Sequence, residues 1–248
     1  MTHITSRKNN EIQRLRRLLE DSGLRRREQI FVCQGEVMLG EALRSGMTVE
    51  RVYCLESKLA QIPDGVPVTT VTPDIIEVIS GVESASGVVF TCRMPQRPAL
   101  RGSRFIALEE VRDPGNVGTV IRTADALGMD GVIFVGSCAD CFAPKVVRST
   151  MGSIFRMPLH FCTLPELRQF CTDTGVQLCA AELSEDALRL GETSLRSPCC
   201  VMIGNEAHGL TKDAVNCADK RVIIPMHGAE SLNAAVAAAL FMWEMTRV

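Results

Sequence analysis

Aromatic side chains are scarce, at 4% of 248 residues with a single Trp and a single Tyr, so an interior built from this chain is aliphatic. Long apolar runs are missing as well; none reaches the length of a membrane span, and no membrane association is expected. The opening MTHITSRKNN is too polar for a secretory leader. The 11 cysteines are odd in number and irregularly spaced, which reads as reduced thiols in the cytoplasm. CADC, Cys138 to Cys141, has no second pair, so it reads as loop thiols and no metal is expected. Adjacent Cys199 and Cys200 read as small strand residues.

A large net charge is absent too. The total of −2 points by itself to no polyanionic partner, but the distribution is uneven. Residues 1–104 carry +3 and the remainder −5. Arg7, Lys8, Arg14, Arg16, Arg17, Arg25, Arg26 and Arg27 face four acids in the first thirty residues. A basic N-terminal part on an acidic body suits contact with a polyanion, although a solvated helix face has the same composition.

Apolar spacing divides the chain. EIQRLRRLLEDSG reads as a helix stopped by Gly23; IFVCQGEVMLGEALRSG as strand, turn and helix; VERVYCLE, VPVTTV and GVVFTC as strands around the helix PDIIEVIS. This gives a small α/β domain over 1–94. CRMPQRPALRGSR, with two prolines and four arginines, marks a linker at 95–104. From 105 to 248 apolar strands alternate with amphipathic helices, including one helix over PKVVRSTMGSIF. The fold class is α/β, with a mostly parallel sheet covered on both faces.

Ligands of such sheets sit where strand ends run into helices. DPGNVGTVIRTADALG is one such junction, and it fits neither G-x-G-x-x-G nor the P-loop, which leaves a nucleotide-dependent oxidoreductase as a third reading without its glycine fingerprint. Asn116 suits an N-cap. Arg122 lies opposite the apolar stripe Val117, Val120, Ile121, Ala124 and Leu127, and gains nothing from the helix dipole. It serves either a surface pair with Asp125 or an anionic or polar substrate. VMIGNEAHGL places Glu206 in a glycine-flanked loop, and VIIPMHGAESLN places Ser231 and Asn233 at a helix start, where Ser231 suits the cap and Asn233 its support.

Taken together, these junctions resemble the SpoU (TrmH) family of RNA ribose 2′-O-methyltransferases. Asn116, Gly118 and Arg122 match its first motif; Gly204, Glu206, Gly209 and Leu210 its second; Pro225, Met226, Ser231, Leu232 and Asn233 its third. Ala234 stands where valine is common. ITSRKNNEIQRL and FVCQGEVMLGEAL resemble, more distantly, the family's ribosomal-protein-like RNA-binding domain, with Gln34-Gly35 and Ser86-Gly87 departing from its usual pairs. The resemblance implies a C-terminal trefoil knot, S-adenosyl-L-methionine as cofactor, and RNA as substrate. Large-subunit (23S) ribosomal RNA is expected; a tRNA enzyme or a catalytically silent RNA-binding relative are the alternatives. It further implies Arg122, Asn116, Glu206, Ser231 and Asn233 at the reaction centre, and Gly204, Ile224, Leu232, Ile203 and Met226 around the cofactor. Arg7, Lys8, Arg14, Arg17 and Arg148, with Ser149 and Ser153, are the expected RNA contacts. The alanine-rich last helix, ending in Phe241, Met242, Trp243 and Met245, is expected to form a homodimer interface.

Overall fold

The computed structural model describes residues 2–82, 86–96, 99–184, 186–196, 198–228 and 231–247. Within the expected linker, Arg97 and Pro98 lie outside the described residues. The chain forms two compact units, Met1–Gln96 with Asp140–Arg156, and Arg97–Ala139 with Met157–Val248. The sequence boundary near 95 therefore misses one excursion: residues 140–156, read as part of the second domain, pack with the first unit.

The first unit runs β1 (Thr2–Ile4), α1 (Asn10–Glu20), α2 (Ser22–Glu28), β2 (Ile30–Gln34), α3 (Glu36–Arg44), β3 (Val49–Cys54), β4 (Val68–Val71), α4 (Pro73–Ser80) and β5 (Val88–Arg93). Its five strands are ordered β1-β4-β3-β5-β2, with β5 antiparallel to both neighbours. Ile12, Leu15 and Leu18, spaced as the sequence pattern requires, meet Ile75, Ile79 and Val89 in the core. Gly23 does not stop the first helix. Asp21 ends α1 and caps α2, its carboxylate accepting the Leu24 N–H at 2.9 Å, and Gly23 lies inside α2. Arg25, counted above in the basic N-terminal part, is 3% exposed. Its guanidinium donates to the Leu18 carbonyl at 2.6 Å and to Asp140 at 2.7 Å. It thereby ties the excursion down, and Phe31 meets Phe142 and Phe155 with ring centroids 4.9 and 6.2 Å apart. The single helix expected over PKVVRSTMGSIF breaks after α6 (Pro144–Ser149), because Met151 and Gly152 adopt φ of 50° and 98°.

The second unit holds β6 (Arg104–Glu109), α5 (Pro114–Ala126), β7 (Gly131–Val135), β8 (Leu159–Cys162), α7 (Leu164–Thr174), β9 (Gln177–Ala181), β10 (Leu188–Arg189), β11 (Cys199–Ile203), α8 (Lys212–Cys217), β12 (Lys220–Ile223) and α9 (Ala234–Thr246). Its sheet, ordered β10-β12-β9-β11-β6-β7-β8, is parallel throughout. Such strands are buried on both faces, and β7 and β11 accordingly read GVIFV and CCVMI without alternation. Phe105, Ala107, Cys200 and Met202 pack with Leu167 of α7 and Ala214 of α8, while α9 packs on α5, β6 and β11. The chain steps outward from β6 through β7 to β8, then returns to β9 on the far side, and β11 later fills the slot between β9 and β6. This reversal of strand order opens a crevice at the carboxyl ends of β6 and β11. Among the described residues no helix is long and apolar enough to cross a membrane.

Candidate active site

The crevice begins with a helix cap. Asp113, not Asn116, caps α5; its carboxylate accepts the Asn116 N–H at 2.9 Å and Pro114 takes the first helical position. Relieved of capping, the Asn116 carboxamide is buried and must be satisfied from elsewhere. Its Nδ2 donates to Glu206 Oε1 at 2.9 Å, and its Oδ1 accepts from Asn233 Nδ2 at 2.8 Å. Asn233 in turn caps α9, accepting the N–H groups of Ala235 and Val236 at 2.9 and 3.3 Å. Ser231 is thus not the cap. Three loops far apart in the chain are joined by one line of hydrogen bonds, Asn233 to Asn116 to Glu206.

Glu206 also accepts the backbone N–H groups of Asp113 and Arg112 at 3.1 and 3.3 Å. Burial acts to raise its pKa, but the Asn116 amide and these N–H groups prevail and hold it below the ordinary carboxylate range. The sign follows: a depressed folded-state pKa stabilises above the unfolded value near 4.5 and loses that contribution as pH falls through the folded value. The junction is expected to stay intact at neutral pH and to loosen only in acid below the ordinary value of 4.5. An acid titration of Trp243 fluorescence and cofactor affinity, compared with Glu206→Gln, checks this; loosening between pH 6 and 7 would contradict it.

The loop carrying Glu206 closes on itself. Asn205 and Gly209 exchange backbone hydrogen bonds at 3.0 and 2.9 Å, and Asn205 Nδ2 donates to the Glu110 carbonyl at 2.9 Å. A Cβ on Gly204 would sit 2.1 Å from the Gly209 carbonyl carbon and 2.2 Å from the Leu210 nitrogen, so only glycine fits. Buried Glu109 accepts the Thr211 hydroxyl and N–H at 2.6 and 2.8 Å, fixing the start of α8 against the end of β6. Glu109, Asp113 and Asn205 were not singled out from the sequence; only Asp113, standing before Pro114, carried a readable signal.

Beside this junction lies a cleft of about 440 Å³. Ile203, Gly204, Glu206, Ile224, Met226, Ser231 and Leu232 all line it, with Glu182, Leu183, Ala237 and Phe241. Asn116 stands behind it through its bond to Glu206, and Asn233 through its bond to Asn116. Arg122 is absent from its wall; it is exposed on α5 and makes no hydrogen bond or ion pair among the described residues. In the first unit, Arg7 pairs with Asp74 at 2.9 Å and Arg14 with Glu28 at 2.5 Å, whereas Lys8 and Arg17 are exposed. Arg148 is half-buried, and burial lowers its pKa. Cys138 donates its thiol to the Leu108 carbonyl at 3.2 Å, and among the described residues no cluster could hold a metal.

A cleft at the reversal point of a parallel sheet, lined by apolar side chains and bordered by an amide–carboxylate junction, is that of an α/β protein with a small-ligand site. The model of the SpoU rRNA Methylase family matches residues 103–243, and the chain belongs to that family. The 23S rRNA (guanosine(2553)-2′-O)-methyltransferase RlmP of Bacillus subtilis is 29% identical over 99% of both chains. The S-adenosylmethionine-bound rRNA methyltransferase of Sinorhizobium meliloti superposes with a TM-score of 0.88 at 28% identity, covering 98% of this chain and 96% of that one. The tRNA (guanosine(18)-2′-O)-methyltransferase of Escherichia coli is 34% identical, over 57% of this chain and 62% of its own length. The protein is a methyltransferase with S-adenosylmethionine as its methyl donor. Ile203, Ile224, Met226 and Leu232 give the cleft an apolar wall, and at Gly204 no side chain covers the backbone.

Proposed function

We propose that this methyltransferase acts on a ribose 2′-hydroxyl in large-subunit ribosomal RNA, in the cytoplasm. The observation that carries the reading is the Asn233–Asn116–Glu206 line, which sets an exposed carboxylate edge and an amide beside the cofactor cleft. When bound, the cofactor supplies a methyl already activated on a sulfonium. The remaining work falls to the protein, which must align the hydroxyl and manage its proton. Glu206, held by two backbone N–H groups and Asn116, orients the ribose; Ser231 shapes the cleft mouth. Arg122 clamps the adjoining RNA phosphate, which takes the hydroxyl proton, and stabilises the developing alkoxide.

Likeness to the ribosomal RNA enzymes runs the length of the chain, while likeness to the tRNA enzyme covers little more than half of it. This supports ribosomal RNA as the substrate and an RNA-binding role for the N-terminal domain, 1–94. The expected C-terminal knot is supported by the close crossing at Gly204 and by α9 returning to β6 and β11 after edge-ward β12. A homodimer through the C-terminal domain accounts for α9: Val236, Leu240 and Trp243 line up at helical spacing and are 48%, 40% and 58% exposed. Across such an interface Arg122 of one copy reaches the cleft of the other.

Transfer of labelled methyl to ribosomal RNA fragments, with tRNA as the competitor, tests the substrate; preference for tRNA would refute it. Deleting residues 1–96 is a poor test of the RNA-binding role, because it strips Phe31 from Phe142 and Phe155. Point changes serve better. Lys8→Ala and Arg17→Ala are each expected to reduce the slope of log affinity for RNA against log salt by about 1, without altering cofactor binding. An unchanged slope in both would remove this face from the RNA contact.

A further inference from the structure

The cleft holds one carboxylate that the reaction does not use. Glu182 follows β9 directly, its N–H donating to the Val222 carbonyl at 3.1 Å, so its backbone is fixed by the sheet. Its side chain lines the cleft between Ala181 and Leu183. Oε2 is buried and accepts no hydrogen bond among the described residues. The nearest cation is Arg221 Nε, 3.6 Å away, beyond hydrogen-bonding reach and on a side chain 42% exposed. Oε2 therefore belongs to the Arg221 pair, and the other carboxylate oxygen, on a side chain 27% exposed and with no hydrogen bond among the described residues, is the one a ligand in the cleft meets.

We propose that Glu182 accepts the ribose hydroxyls of the cofactor's adenosine and so sets its affinity for adenosyl ligands. The inference rests on S-adenosylmethionine occupying this cleft. Position favours the ribose. The reacting end of the cleft lies over β6 and β11, whereas β9 is two strands from β6, about 10 Å at the usual strand spacing. A group there meets the part of the cofactor several bonds from sulfur. Ile224 and Val222, on the next strand outward, continue the apolar surface for adenine. Charge favours it also: a carboxylate already facing Arg221 has open lone pairs, which suits a neutral diol better than the cofactor's ammonium group.

Calorimetric binding of S-adenosylhomocysteine and of 5′-methylthioadenosine, which lacks the amino-acid arm, tests the assignment. Glu182→Ala is expected to weaken both by the same factor, about ten- to a hundredfold. Glu182→Gln, which keeps one acceptor, should lose less. A 2′-deoxy analogue of S-adenosylhomocysteine should bind more weakly than its parent to the native protein and equally to Glu182→Ala. Arg221→Ala, which removes the ion pair and leaves the carboxylate, should stay within about threefold of native. Loss confined to S-adenosylhomocysteine would move Glu182 to the amino-acid end. Equal loss in Arg221→Ala would make its role structural, and no loss in Glu182→Ala would end the assignment. Failure of the native protein to bind either ligand would overturn the cofactor's placement in this cleft, and the assignment with it.

Discussion

An Arg122→Ala protein is expected to melt within about 1 °C of its parent and to transfer methyl at least about a hundredfold more slowly. The first half follows from exposure. Arg122 is exposed and shows no hydrogen bond or ion pair among the described residues, and a surface substitution of that kind moves stability little. The second half follows from chemistry. A ribose hydroxyl attacking a methyl carbon develops negative charge on oxygen, and a preorganised cation is worth two to three orders of magnitude there. Within one chain Arg122 lies off the cleft wall, and it is the proposed homodimer that would bring it to the cleft of a second copy. Mixing Arg122→Ala with Glu206→Ala chains therefore tests dimer and residue together. If each cleft draws its arginine from the partner, mixed dimers contain one intact site and recover up to half of the activity of native dimers. No recovery on verified mixing would place both residues in the same subunit's site, and a large fall in melting temperature would make Arg122 a structural residue.

Gly204→Ala should fail in the opposite way, through the backbone. The added methyl would lie 2.1 and 2.2 Å from two main-chain atoms of the neighbouring loop, which cannot rotate aside as a side chain can. The Asn205–Gly209 pairing must open, and Glu206 moves with it. Destabilisation of roughly 3 kcal/mol is expected, corresponding to a fall of about 6–12 °C in melting temperature for a chain of this size. Cofactor affinity should drop beyond measurement. Gly209→Ala is the informative contrast. Gly209 has φ of 67° but open space around its missing Cβ, so alanine there meets only conformational strain, about 1–2 kcal/mol. Similar, mild behaviour of both variants would mean that the loop crossing is looser than its coordinates show.

Much of the architecture could be read from pattern. β7 and β11, apolar without alternation, announce a sheet buried on both faces, and the junctions at Asn116, Glu206 and Asn233 were visible as strand ends with polar residues. The failures were local and share a cause. Asn116 and Ser231 suited helix caps by type, but Asp113 and Asn233 stand at the actual first turns, and a cap is chosen by chain direction. Met151 gave no warning that α6 would break. Arg25 looked like its neighbours Arg26 and Arg27 until Asp140, 115 residues away, was placed beside it.

By itself the sequence determined a small α/β unit, a parallel sheet, and which three loops carry polar chemistry, because hydrophobic period and turn residues are local properties. Only the tertiary structure decided that Asn116 bonds both Asn233 and Glu206, that residues 140–156 leave one unit for the other, and that Glu182 faces the cleft while Arg122 does not. Those outcomes depend on strand order. The slot between β6 and β9 is filled by a strand that arrives later in the chain, and no local pattern records which neighbours it will meet there.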